Sequence, residues 1–140
     1  MKGSVVFWAL LALGAVFVAI TLPTMPTIVA TNFNGVGAPH AWMGRGSYAI
    51  YLSAVGIVLP LGMVGLMGRR APTRESRWWL GSLMIGFALG VHVLLLGAHR
   101  RQPPHLSTVS FLTAMGVFVV GLIAWVVHWR GGRSPGQSSW

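Results

Sequence analysis

Four apolar runs, at residues 4–22, 47–67, 78–98 and 108–129, constrain this chain more than any other feature of its sequence. Each has close to the roughly 20 residues that a helix needs to cross the hydrocarbon core of a bilayer. A buried backbone in lipid must satisfy its own hydrogen bonds, so only helices and closed barrels span. Barrel strands are about half this length and alternate in polarity. The runs therefore read as helices of an all-α integral membrane protein. Short connections after the second and third runs make neighbours antiparallel, which gives a four-transmembrane-helix bundle of up-down-up-down order.

The rest of the composition agrees. Charged residues make up 8% of the 140 positions and hydrophobic ones 54%, against roughly 25% charged in an average soluble domain. One domain fills the chain. The first run is longer than the roughly 7–15 residues of a signal-peptide core, so it is expected to stay as a helix, with Pro23 ending it. Pro60 should kink the second run or free a carbonyl near Gly56. Gly56, Gly62 and Gly65 thin that helix, and Gly86 and Gly90 in the third run have the four-residue spacing of a close helix contact. Tyr48, Tyr51, Trp78, Trp79, Trp125 and Trp129 sit at run ends, where aromatic rings prefer the interface. The tail, 130–140, is rich in Gly, Ser and Pro and is expected to be flexible.

Ten Lys and Arg against one acidic residue give a formal charge of +9. In a soluble protein that balance would point to nucleic acid. Here the basic residues adjoin the apolar runs, where they set topology and meet anionic headgroups, and no nucleic-acid partner is expected. Lys2, Arg69, Arg70, Arg74, Arg77, Arg130 and Arg133 fall on one side, seven against Arg45, Arg100 and Arg101 on the other. The positive-inside bias then puts both termini and the basic connection carrying Arg69, Arg70, Arg74 and Arg77 in the cytoplasm. The 23–46 loop and the 99–107 turn share the outer face.

Much chemistry is missing. There is no Asp and no Cys, and the one Glu is Glu75 in the basic connection. Carboxylate pairs for acid–base catalysis, carboxylate cages for calcium or magnesium and carboxylate-coupled transport all lack their residues. No phosphate loop or nucleophile elbow occurs. The chain is expected to be no enzyme, with no catalytic residue and no metal site. Of its five histidines, His40, His99 and His105 fall on the outer side without the fixed spacing of a metal site, and His128 lies near the opposite interface. His92 is the ionisable residue well inside a span. Such a histidine most often bonds a hydroxyl or carbonyl on the next helix. The alternative is axial ligation of a haem or chlorophyll-type pigment, with Ala88 and Gly90 leaving room. Bis-histidine ligation within the chain is disfavoured, because His128 lies roughly 18 Å away in depth.

Between the first two runs lies the long polar interruption of this half of the chain. Pro26 followed by Thr27-Ile28-Val29-Ala30-Thr31 reads as a short helix with proline at its first position. Asn34-Gly35 and Gly37 are turn signals, and Phe33 and Trp42 are the expected anchors of an ordered outer loop. This run, Pro26-Thr27-Ile28-Val29-Ala30-Thr31-Asn32-Phe33-Asn34-Gly35-Val36-Gly37-Ala38-Pro39-His40-Ala41-Trp42, resembles the signature of a widespread bacterial membrane-domain family of unknown function. Its pattern is Pro-x-x-Val-Ala-x-His-Phe-Asn-x-x-Gly-x-Pro-x-x-Trp, flanked by transmembrane helices. The same domain opens the SdpI-type immunity proteins, which protect a cell from a secreted toxic peptide and signal its presence. The likeness covers residues 22–60 and rests on Pro26, Phe33, Asn34, Gly37, Pro39 and Trp42. Asn32 stands where the family has histidine, and His40 where Asp or Asn often follows the proline. The resemblance implies a bacterial cytoplasmic-membrane protein, and the loss of the family histidine favours a structural or partner-binding role. Two functions follow as expectations: a non-enzymatic accessory subunit packed against other membrane protein subunits, or a toxin-immunity or envelope-stress sensor. A haem- or pigment-bearing subunit through His92 is a third.

Overall fold

A computed structural model describes residues 3–67 and 75–131. Arg69, Arg70 and Arg74 of the basic connection, Lys2, Arg133 and residues 132–140 of the expected tail lie outside the described residues. Helix α1 (Gly3–Thr21) ends in a tight turn over Leu22–Thr24 and leads to strands β1 (Ile28–Phe33) and β2 (Pro39–Gly44). Helix α2 (Arg45–Ser53), a π-helical segment (Ala54–Val58) and α3 (Leu59–Met67) then form one span, followed by α4 (Ser76–His99) and α5 (Thr108–Gly131). Four helical stretches of 22 to 24 residues are thus long and apolar enough to cross a membrane. Arg130 and Gly131, expected in the tail, continue α5.

Helix α4 is the hub. It packs against α1, the α2–α3 span, α5 and β1. Contacts along it give the directions of its neighbours. Gly3 lies against Trp78 and Gly14 against Leu89, so α1 runs parallel to α4. Val64 lies near Gly81, Gly56 near Ala88 and Tyr48 against His92, so the second span runs antiparallel. Ser76 meets Trp125, Leu83 meets Gly121 and Phe87 stacks on Phe118, so α5 does too. This is the up-down-up-down order that short connections require.

Two apolar clusters lie along α4. Near the hairpin, Met25, Val29, Tyr48, Leu52, Ala88 and Leu95 are buried together. Toward the other end Phe7, Val64 and Ile85 form a second cluster under Trp78. The glycines that permit close approach are Gly14, Gly81 and Gly121. A Cβ on Gly81 would stand 2.6 Å from the Phe7 ring and 2.9 Å from Val64. The glycines singled out by spacing behave otherwise: a Cβ on Gly62, Gly65, Gly86 or Gly90 would meet nothing within 4 Å. Among the described residues the expected close contact at Gly86 and Gly90 is therefore absent, because those residues turn to a groove between α4 and α5.

Two local features have sequence causes. Pro60 has no N–H to offer the carbonyl one turn back. The turn before it widens, and Leu59 N–H reaches the Ala54 carbonyl in a π-type bond. The short helix expected from Pro26 is instead strand β1, paired antiparallel with β2 from Ile28↔Gly44 to Phe33↔Pro39. Thr27, Ile28, Val29 and Thr31 are β-branched and favour the extended chain. The Asn- and Gly-bearing turn that follows lets the chain fold back within five residues, which suits a hairpin.

Candidate functional site

An isolated two-stranded hairpin is marginal in water, so what holds this one defines its end of the molecule. Val29 and Ala30 on β1 are fully buried, while β2 is largely exposed. The inner strand is tied to α4. The His99 ring accepts a hydrogen bond from Ala30 N–H at Nε2 (2.9 Å) and gives one from Nδ1 to the Leu95 carbonyl (2.7 Å). The ladder irregularity that skips Thr31 follows directly after Ala30.

The base of the hairpin is clamped by Arg45, whose guanidinium donates from Nη1 to the carbonyls of Pro23 and Met25, both at 3.0 Å. Its own N–H bonds the Thr27 carbonyl at 2.8 Å. Those carbonyls sit where the chain leaves α1 as a tight turn and enters β1, and a planar multi-donor group suits such a cluster. The tip is closed by Asn34, whose Oδ1 accepts from Val36 N–H (3.2 Å) and Ala38 N–H (2.9 Å). Gly37 adopts φ +81°, a conformation that side chains resist. Its carbonyl accepts from Leu106 N–H at 3.0 Å, and Thr108 donates to Gly35, which docks the tip on the 100–107 connection. A Cβ at Gly37 would press on the Leu106 carbonyl and the His105 ring.

Beneath the hairpin, His92 joins three helical elements. It is fully buried. Tyr48 OH lies 2.8 Å from Nδ1 and Thr21 Oγ1 lies 2.9 Å from Nε2. Thr21 has one proton, and it donates it to the Phe17 carbonyl at 2.7 Å. The Thr21 oxygen must therefore accept from His92 Nε2–H, which leaves Nδ1 to accept from Tyr48; the network assigns the tautomer. The Tyr48 ring lies nearly parallel to the imidazole and Phe17 meets it edge-on. Both ring nitrogens are in use. A macrocycle taking His92 as axial ligand would have to displace Tyr48 or Thr21, since ligation needs a free lone pair.

The residues of the expected signature divide into inward and outward parts. Phe33 is half-buried and packs on the cluster that holds Leu95 and Tyr48. Asn34 and Gly37 build the turn, and Pro39 opens β2. Pro26 and Asn32 are exposed, and Asn32 stands with Thr31 at a cleft of about 300 Å³ whose walls include Met43, Tyr51 and Val55. Trp42, expected as a second anchor, is 50% exposed, and so presents its ring outward more than it fastens the hairpin. At the far end Arg77 lies over the Trp78 ring at 5.0 Å. His40, His105 and His128 are exposed, His105 N–H bonds the Ala98 carbonyl at 3.3 Å next to His99, and no group of three or more metal-ligating side chains forms among the described residues.

Two residues that hold the site were passed over in the sequence. Arg45 counted there as one outer charge, and His99 as one of three outer-side histidines without the spacing of a metal site. The seven-residue interval between His92 and His99 is two helical turns, which sets both on one face of α4 with Leu95 between them. Comparison with protein-family models, with curated proteins and with solved structures returned no match.

Proposed function

We propose that the chain is a multi-pass membrane protein of a bacterial cytoplasmic membrane, with both termini inside, that works by binding as an accessory subunit of a larger membrane assembly. The reading keeps the likeness of residues 22–60 to the domain that opens SdpI-type immunity proteins. The observation that carries it is the hairpin: fixed at its base by Arg45, at its inner strand by His99 and at its tip through Gly37, it leaves Ile28, Val36 and Trp42 at least half exposed. Rigidly presented apolar and aromatic side chains are the common material of recognition surfaces. The polar side chains on the inner faces of α1, α2 and α4 support the same view. Thr21, Tyr48, His92 and His99 are engaged in bonds that hold structure together, with none left over as an acid–base pair. The test is mild-detergent extraction of a tagged chain from its own membrane after brief cross-linking. A membrane protein cross-linked to β2 or the turn supports the reading, and a chain recovered as a bare monomer refutes it.

The exposed hairpin also favours a second reading, in which the same surface meets a secreted peptide and the protein acts as an immunity protein or envelope-stress sensor. Under that reading, deleting the gene raises sensitivity to secreted peptide toxins. Unchanged sensitivity counts against it.

A further inference from the structure

His99 is the last residue of α4, half-buried against the hairpin and followed by the exposed Arg100 and Arg101. Its two ring partners are backbone groups with fixed roles. Ala30 N–H can only donate, so Nε2 must offer its lone pair at 2.9 Å. The Leu95 carbonyl can only accept, so Nδ1 must carry the proton at 2.7 Å. One state meets both demands, the neutral ring with its hydrogen on Nδ1. His92 is placed differently, because its partners are hydroxyls, which can donate or accept.

An imidazolium has an N–H at each nitrogen and no acceptor. At His99 the Nδ1–H would keep Leu95, while the new Nε2–H would point at Ala30 N–H across the distance of a hydrogen bond. Turning the ring over cannot help, since both nitrogens then donate. Ala30 is fully buried, so its amide has no water to turn to, and a buried donor left unpaired is destabilising. No anion among the described residues offsets this. Helix α1 and strand β1 have no titratable side chain, and α5 has none at this end. Strand β2 brings His40, α2 brings Arg45, Tyr48 and Tyr51, and the 100–107 connection brings Arg100, Arg101 and His105. On α4 itself His92 lies two turns below. The one acidic side chain, Glu75, precedes the far end of α4, roughly 36 Å away at 1.5 Å per residue.

The place of this bond along the hairpin gives it leverage. Arg45 fastens the base and Gly37 the tip, whereas His99 ties the middle of β1 to α4. Ala30 pairs with Trp42 across the ladder, and Thr31, the next residue, is skipped by it. We propose that His99 is an acid-sensitive latch: the neutral ring holds the middle of β1 on α4, and the protonated ring releases it and loosens the strand pair that presents Trp42. The pH it senses is that of the side on which the hairpin lies. The inference concerns the hold of the hairpin on α4 and stands with or without a partner at Trp42. A free imidazole takes its proton near pH ~6.5, and the held form has no place for that proton. The ratio of released to held hairpin should therefore rise about tenfold from about pH 7.5 to about pH 5.5.

The test is amide hydrogen exchange of the full chain in detergent micelles at those two pH values, read as protection relative to each amide's intrinsic rate. Protection of Ala30 should fall about tenfold in acid, with Val29 and Met43 following, while Ile85 in the other half of α4 stays unchanged. His99→Gln sets a carbonyl oxygen that does not titrate in place of Nε2, and should remove the acid response. His105→Gln, on the neighbouring connection, should leave the response intact. Long-range nitrogen–proton spectra of the imidazole-labelled wild type give a readout that needs no variant to fold, and should show the His99 proton on Nδ1 at the higher pH. Equal protection of Ala30 at both pH values overturns the proposal, as does a response that persists in His99→Gln or vanishes in His105→Gln. A His99 proton on Nε2 at the higher pH overturns it too.

Discussion

His92 is a fastening, and its worth follows from what each nitrogen holds. Polar pairs between membrane helices are worth about 0.6 kcal/mol on average and up to roughly 1.7. Tyr48→Phe removes the donor to Nδ1 but keeps the ring, so the expected loss is about 1 kcal/mol. His92→Ala removes both bonds, strands the buried Tyr48 hydroxyl and leaves a cavity beside Phe17, so about 2–4 kcal/mol is expected. Unfolding of the purified chain by increasing dodecyl sulfate in mixed micelles should rank wild type above Tyr48→Phe above His92→Ala. A reversed order of the two variants would show that the imidazole is not the joint of this network. Sequence alone makes His92 conspicuous, as an ionisable side chain deep in an apolar run. Its partners are illegible there, because Thr21 and Tyr48 are 71 and 44 positions away and only tertiary packing selects them among the chain's hydroxyls.

The hairpin is the element on which local signals competed. Pro26 is a fair helix start, yet the β-branched run behind it and the Asn34–Gly37 turn outweigh it once β2 is available as a partner. The turn residues were legible from their tolerance of unusual φ; the docking of the tip on Leu106 was not, since no local pattern encodes that contact. Gly37 combines both constraints. Gly37→Ala must take φ +81° with a Cβ against the Leu106 carbonyl, and should cost more than 1 kcal/mol and raise amide exchange over 34–38 and at Leu106. Gly35→Ala, with open space at its Cβ, should leave exchange at those amides within twofold of wild type. Equal effects at the two glycines would show that the tip is not held as described.

At the scale of the whole molecule, four long apolar runs are enough to predict four long helices, because hydrophobic length is a property of the chain itself. How they pack is not. The hub is α4, and close approach occurs at Gly14, Gly81 and Gly121, whereas the Gly86–Gly90 spacing points into the groove. Gly81→Ala drives a methyl into Phe7 and Val64 and should lower stability by about 1–3 kcal/mol, while Gly86→Ala should be close to neutral in the isolated chain, both read from the same dodecyl sulfate titration. The larger claim is that this scaffold exists to hold a surface for a partner. Its most direct test is recovery of the partner from native membranes by the tagged wild type and by Trp42→Ala, compared side by side with their unfolding midpoints. The expected result is a stoichiometric membrane protein with wild type that Trp42→Ala loses at an unchanged midpoint. A wild-type chain that purifies alone, or a Trp42→Ala chain that retains the partner in full, would contradict it.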